Sequence, residues 1–312
     1  MRKYIIKQIL MIIPTLLIVS IVAFGMIRML PADAVETYML ANHLEMTDEN
    51  IAMVEEKFGL HEPVVTQYFS WVSAVLHLDF GESYTSNQEV ADMLWKAFKA
   101  TAQLAGAAML WIVVLTPVLG IFSAKKPNGW MDGFTRMFCL MGTAIPTFVL
   151  GFFMIRLFGV QLKILPVSGK ESWMNYIMPS FALSLAHISS FVQMLRNEML
   201  ENKKGAFTLY ANARGIKEGV VFRTHILKNS MLPVVNTVGI SIGRLIAGTV
   251  VIENVFSWPG LGQLITKAIL ARDYPVIQAY ILLIAIVFIC ANLIADLLSA
   301  WVDPRIRLGE KG

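Results

Sequence analysis

Six stretches of this chain are apolar for about twenty residues each, the length needed to cross roughly 30 Å of hydrocarbon as a helix. They are Ile9–Ile27, Leu104–Ala124, Met137–Val160, Tyr176–Leu195, Leu232–Ile252 and Val276–Leu298. Backbone exposed to lipid must satisfy its own hydrogen bonds, so each run is expected to be a helix. No alternating pattern of barrel strands is visible. Of the 312 residues 56% are hydrophobic and 15% charged, against roughly a quarter charged in a soluble domain. The first run, with Arg2, Lys3 and Lys7 before it, also resembles a signal peptide, and Ala32-Asp33-Ala34 resembles a cleavage site. It exceeds the roughly 7–15 residues of a signal core, which favours a retained span. The expected fold is therefore an all-α integral membrane protein with six transmembrane helices.

Lys and Arg placement orients such a chain. With a cytoplasmic N-terminus, sixteen of the 26 basic residues fall on the cytoplasmic side. Seven fall on the other: Lys57, Lys96, Lys99, Lys163, Lys170, Lys267 and Arg272. Both termini are accordingly expected in the cytoplasm. Residues 1–30 read as a tail and first helix, 31–99 as a small extracellular segment, 100–303 as the membrane core and 304–312 as a cytoplasmic tail. The extracellular segment carries twelve acids and three lysines. Thr47-Asp48-Glu49-Asn50 starts a helix there, with Ile51, Val54 and Phe58 at helical spacing.

Chemistry-bearing motifs are sparse. Ser168-Gly169-Lys170 suggests a phosphate loop, but Ile164 stands where the first glycine belongs and Glu171 follows the lysine. Gly239-Ile240-Ser241-Ile242-Gly243 matches G-x-S-x-G, which requires a strand–turn–helix setting. Here it lies inside a span, where small residues allow close helix packing. His43, His61, His77, His187 and His225 show no metal-ligand spacing, and Cys139 and Cys290 form no disulfide framework. The eighteen methionines read mainly as adaptable apolar filler, with a path for a soft metal as the alternative. Ionisable groups inside spans are costly and point to a path or a partner. Arg28, Arg156 and Asp296 lie near span ends, where snorkelling accounts for them. His187 and Arg244 are the stronger pore candidates, with Glu253 as a pairing acid for Arg244 or a further lining residue.

The loop between the fourth and fifth runs, about residues 201–228, is the most informative. Ala206–Arg214 favours a helix closed by Gly215, and Ile216-Lys217-Glu218-Gly219-Val220-Val221-Phe222 restarts a short one. Such a pair can seat in a partner's groove, although a plain basic loop has the same composition.

The residues Tyr210-Ala211-Asn212-Ala213-Arg214-Gly215, then Arg223, His225, Leu227, Asn229 and Leu232-Pro233, resemble the coupling loop of ABC-importer permeases of the peptide/nickel class. The general loop's glutamate is replaced by Leu209 or Tyr210. Further resemblance lies in Phe58-Gly59-Leu60 with Pro63, in Gln67-Tyr68 and Trp71, and in Leu78-Asp79-Phe80-Gly81-Glu82-Ser83. It continues in Glu253-Asn254-Val255-Phe256-Ser257-Trp258-Pro259-Gly260-Leu261-Gly262, Arg272–Gln278 and Asp303-Pro304-Arg305. Leu30-Pro31-Ala32-Asp33-Ala34 departs from the family's Pro-Gly-Asp-Pro turn.

The resemblance implies a type I importer permease fold in a bacterial inner membrane. It implies a second homologous permease, two cytoplasmic ABC ATPases that bind ATP and Mg, and an extracellular substrate-binding protein. Membrane lipid surrounds the chain, and no nucleic acid partner is expected. No catalytic residue or cofactor is expected in this chain, and no metal ligand can be named. Tyr210, Ala211, Ala213, Gly215, Ile216, Lys217, Glu218 and Gly219 are the implied ATPase-coupling residues. The class detail favours nickel or a metal-chelate (metallophore) complex as substrate, with di- or oligopeptides as the alternative. A membrane enzyme or sensor is the remote third reading.

Overall fold

The bend between Ala144 and Thr147 shows how local sequence shapes this chain. Ile145 precedes Pro146, which disfavours the helical region, and it adopts φ −84°, ψ 122°. The helix axis turns there by 107°. The third apolar run is therefore not one straight span, as its composition suggested, but two helices meeting at a proline.

The structure, a computed structural model, describes residues 2–28, 34–57 and 59–302, with side chains at 11–26, 35–57, 59–239 and 241–294. The turn from Leu30 to Asp33, Phe58, Asp303-Pro304-Arg305, the 304–312 tail and the side chains of Arg28 and Asp296 lie outside the described residues. The helices are α1 (Arg2–Arg28), α2 (Ala34–Ala41), α3 (Asp48–Lys57), α4 (Val64–Leu76), α5 (Val90–Lys125), α6 (Trp130–Ala144), α7 (Thr147–Met154), α8 (Met174–Lys204), α9 (Ala206–Ala213), α10 (Glu218–Val221), α11 (Lys228–Val255), α12 (Leu261–Leu270) and α13 (Tyr274–Val302). π-helical segments follow α7 (Ile155–Gln161) and α10 (Phe222–Leu227). One antiparallel bridge, Glu82 with Glu89, is the only β pairing among the described residues.

Three helices, α5, α8 and α13, are long and apolar enough to cross a bilayer by themselves. The count rises to five if two bent pairs each form one span, α6 with α7 and the segment Glu218–Val255. In α1 the described apolar stretch is Met11–Met26.

The chain divides into two compact units that do not follow chain order. The first comprises Met1–Thr101 and Pro259–Cys290. Its larger core joins Val90, Leu94 and Ala97 of α5 to Leu261 and Ala268 of α12 and Val276 and Ala279 of α13. The backbone N–H of Leu261, which opens α12, donates to Thr101 Oγ1 at 2.8 Å and so finds the partner a helix start lacks. A smaller core of Val35, Met39 and Val54 closes α2 on α3.

The second unit, Ala102–Trp258 and Ala291–Gly312, is organised around α8. That helix is the least apolar of the three long spans yet has 61% of its apolar window buried, against 28% for α5. Its small residues let neighbours approach. A Cβ added to Gly142 of α6 would lie 2.1 Å from Ser189 Oγ, and one added to Gly120 of α5 would lie 2.8 Å from Leu195 Cδ2. Ser180 takes the Trp111 indole N–H at 3.1 Å. Trp258, fully buried, stacks edge-on against Tyr176 at 4.6 Å.

Gly142→Ala is expected to destabilise the protein by about 1–3 kcal/mol through overpacking, seen as a lower thermal unfolding midpoint in detergent. Ser189 Oγ is buried with no hydrogen-bond partner. Adding Ser189→Ala to Gly142→Ala should therefore restore much of the loss, and no recovery would refute the contact.

Candidate functional site

The loop after α8 folds as a helix pair. Gly205 caps α9 with extended backbone (φ −63°, ψ 151°), and Thr208 Oγ1 donates to the Asn202 carbonyl at 2.7 Å. At the other end Gly215 has φ +71°. Its N–H donates to Asn212 O at 2.9 Å, and that of Ile216 to Ala211 O at 3.2 Å. This is a Schellman closure, in which glycine adopts the left-handed turn without a Cβ penalty.

The closure sorts the eight implied coupling residues. Ala211 is buried and Ile216 half-buried, so they hold the turn together and do not form its surface. Tyr210, Ala213, Gly215, Lys217, Glu218 and Gly219 are exposed. Beside them Leu209, Tyr210 and Val220 are 63%, 66% and 50% exposed, an apolar surface on an otherwise basic loop. A Cβ on Gly215 would meet nothing within 4 Å. Behind the pair is a hollow of about 340 Å³ reached by Lys125, Lys203, Asn212, Glu218 and Phe222.

Sequence reading ended the restarted helix at Phe222. Instead, α10 runs through the π-helical segment Phe222–Leu227 directly into α11, so the loop and the fifth apolar run share one helical rod.

Close by in the same unit is a buried ion pair that sequence reading missed. Asp132, in the first turn of α6, is fully buried. Arg196 of α8 donates to it twice, Nε to Oδ1 at 2.6 Å and Nη2 to Oδ2 at 2.9 Å. Ser123 Oγ of α5 (2.5 Å) and the Asn128 backbone N–H (2.9 Å) also donate to it. Arg136 approaches within 3.7 Å. One carboxylate thus ties α5, α6 and α8 together. The available signal was an acid following Pro127-Asn128-Gly129 at a helix start, with Arg136 one turn on in the same helix and Arg196 on α8.

Of the pore candidates, His187 and Arg244 lie on two helices that pack together, α8 and α11. His187 is half-buried on α8, 6.0 Å from the Phe191 ring, and exposed Arg244 of α11 is near enough for their charges to interact. Glu253 does not join them. It is fully buried, and it stands nine residues beyond Arg244 on α11, roughly 13 Å along the axis at 1.5 Å per residue. Its backbone carbonyl accepts from Trp258 N at 2.8 Å. The Ser168–Lys170 stretch is a turn pinned by Asn175, whose Nδ2 donates to Ser168 O at 2.6 Å. Among the described residues no group of three His, Cys, Asp or Glu is placed to hold a metal ion.

In the first unit two of the sequence signatures meet. Asp273, 2% exposed, accepts from Ser83 Oγ at 2.5 Å, Thr85 Oγ1 at 2.9 Å and the Tyr84 N–H at 3.1 Å. Burial, with this carboxylate beside it, pushes the Tyr84 phenol above its ordinary range, so it stays protonated. Asn42 extends the clamp, donating to Tyr84 O at 3.1 Å and accepting from Asn87 at 2.9 Å.

A helical scaffold with helices of membrane-spanning length and an exposed helix pair on one loop is the class of structure the site defines. The family described as binding-protein-dependent transport system inner membrane component matches residues 116–308, and the corresponding N-terminal family matches residues 1–105. The chain belongs to this family of ABC-importer permeases, multi-pass inner-membrane subunits that work with ATPase and substrate-binding partners. It is similar to the glutathione transport system permease protein GsiC of Shigella flexneri serotype 5b, with 38% identity over 98% of this chain and 99% of that protein. The GsiC proteins of Escherichia coli K12 (37%) and Salmonella typhimurium LT2 (36%) match over the same shares. Among solved structures, the inward-facing MetNI methionine ABC transporter aligns with TM-score 0.55 and 17% identity, covering 68% of this chain and 96% of that one. That likeness concerns the fold alone.

Removing one partner from a buried ion pair costs about 3–5 kcal/mol. Asp132→Ala should therefore lower the thermal unfolding midpoint sharply, and Asp132→Leu with Arg196→Met should recover most of it. Independent, additive losses from the two sites would show that the pair is not coupled.

Proposed function

We propose that this chain is one transmembrane permease of an ATP-driven importer for short peptides of the glutathione or dipeptide class. What carries the reading is near full-length similarity to the GsiC permeases, at 36–38% identity. Nickel or a metal chelate, which the sequence signatures favoured, is the weaker reading, since the relatives are named for a peptide-like substrate.

Peptides carry carboxylates, and exposed Arg244 beside His187 offers a cation to meet one on a shared path. In this reading the chain crosses the membrane six times with both termini in the cytoplasm. A second homologous permease completes the pore, and an extracellular binding protein delivers substrate. Two ATPase subunits bind ATP and Mg and dock on Leu209, Tyr210, Ala213, Gly215 and Val220. Closure of the ATPase pair pushes α9 and α10 toward the hollow behind them. Because α10 is continuous with α11, the push reaches the membrane through helix, yielding first at the π segment, at Pro233 and at the bend after Gly239.

Two measurements test this. Cells carrying the complete transport operon should take up labelled glutathione or dipeptide independently of metal; nickel uptake without peptide uptake would overturn the substrate reading. Gly215→Asn keeps a residue that tolerates a left-handed turn and should retain most uptake. Gly215→Arg projects a long cation onto the docking surface and should abolish uptake while the chain still inserts in the membrane. Normal transport by Gly215→Arg would refute the docking assignment.

A further inference from the structure

Helix α4 is a 13-residue helix with no charged residue, in the segment that sequence reading placed in water. Its partner is α1. The Tyr68 and Ser20 hydroxyls share a hydrogen bond of 2.8 Å, and Phe24 packs between Tyr68 (5.4 Å) and Trp71 (5.7 Å). Ser20 lies inside the apolar stretch Met11–Met26, eight residues or roughly 12 Å before Arg28. With α1 as a span, as in the proposed function, contact at that depth brings α4 into the hydrocarbon layer. At about 20 Å in length it cannot cross the layer, and it lies within one leaflet. Val64, Val65, Phe69 and Leu76 are each more than half exposed, which is unfavourable against water and ordinary against lipid.

Between α1, α4 and the first-unit parts of α5 and α13 runs an apolar groove of about 660 Å³. Leu17, Trp71, Val75, Leu94, Trp95 and Leu283 form its walls. Of its hydroxyls, those of Ser20 and Tyr68 satisfy each other, which leaves little to recognise a polar partner. At its rim the Lys99 ammonium sits 4.7 Å from the centre of the Trp95 ring. Among the described residues no carboxylate pairs with Lys99.

We propose that this groove is a phospholipid site: one acyl chain lies along the apolar walls, and the anionic phosphate meets Lys99 beside Trp95. A concave apolar channel ending in a tryptophan and an unpaired lysine matches a molecule with a long apolar tail and an anionic head. The volume, about 22 times the roughly 30 Å³ of a water molecule, is ample for a single tail. The site does not depend on what the importer carries.

The test uses the assembled transporter, solubilised mildly, offered phosphatidylglycerol and phosphatidylethanolamine, and weighed by native mass spectrometry. Wild type should retain one phosphatidylglycerol through washing, and Val72→Trp, which fills the groove, should lose it. Lys99→Gln should still take lipid but with its preference for phosphatidylglycerol reduced about fivefold, equivalent to roughly 1 kcal/mol for one lysine at an anionic surface. A photocrosslinker at position 75 should yield an adduct of lipid mass. Equal retention by wild type and Val72→Trp, or an unchanged preference in Lys99→Gln, would overturn the proposal. So would a crosslink from position 75 to a permease chain, which would make the groove a protein interface. Should Val72→Trp fail to assemble, the crosslink decides.

Discussion

The second unit depends on one buried carboxylate. Asp132 has no exposed surface, and four donors from three elements converge on it. A charge in such a place is tolerated only with its hydrogen bonds complete, so α5, α6 and α8 must keep their mutual register at that end. Arg196 itself is bidentate, which fixes orientation as well as distance. The rest of α8 can then afford small, weakly cohesive side chains: Ser180, Ser184 and Ser189 are all fully buried. Close approach at Gly120 and Gly142 supplies the packing that the serines do not.

The ends of the helices show a second regularity. Schellman closures follow α2, α3, α4, α9, α11 and α12, with His43, Gly59, Leu78, Gly215, Ser257 and Arg272 at the left-handed position. Four of the six are not glycine, and each accepts a left-handed cost of about 1–2 kcal/mol. Three of those four, Leu78, Ser257 and Arg272, lie in stretches singled out by the sequence signatures, and the last two show what the turn achieves. Arg272 turns the chain so that Asp273 enters its clamp on Ser83, Tyr84 and Thr85. Ser257 turns it so that Trp258 is buried against Tyr176. The side chain that follows each turn gains a buried site, which offsets the backbone strain.

Much of this was readable in the residues, for identifiable reasons. Apolar length and helical spacing mark helices, so the runs around Leu104, Tyr176 and Val276 reappear as α5, α8 and α13. Glycine at 215 announced the end of α9 because it takes a left-handed φ without a Cβ penalty. What could not be read was pairing across long separations. Nothing local in Asp132 says that its partner is Arg196, and nothing in Ser83 says that Asp273 lies against it, because such contacts are decided by packing. The bend at Pro146 was local and was overlooked because hydropathy averages over the kink. The charge-free stretch of α4 was local too: acids elsewhere in residues 31–99 mask an uncharged helix within them.

The continuity from α10 into α11 bears on how an importer of this kind would be driven. From Glu218 to Arg244 is one helical path of 26 steps, about 39 Å at 1.5 Å per residue if straight. It contains a π segment at Phe222–Leu227, Pro233 without a backbone donor, and a 49° bend between Gly239 and Ser241. Each weakens the hydrogen-bond ladder, so these are where the path yields first. The stretches between them are regular helix and move as units. In the proposed coupling a displacement of α10 would divide among these points before it reaches Arg244. Coupling by such a lever needs no conduit of special residues, only stiffness between defined hinges. A bare loop joining the two helices would absorb the same displacement.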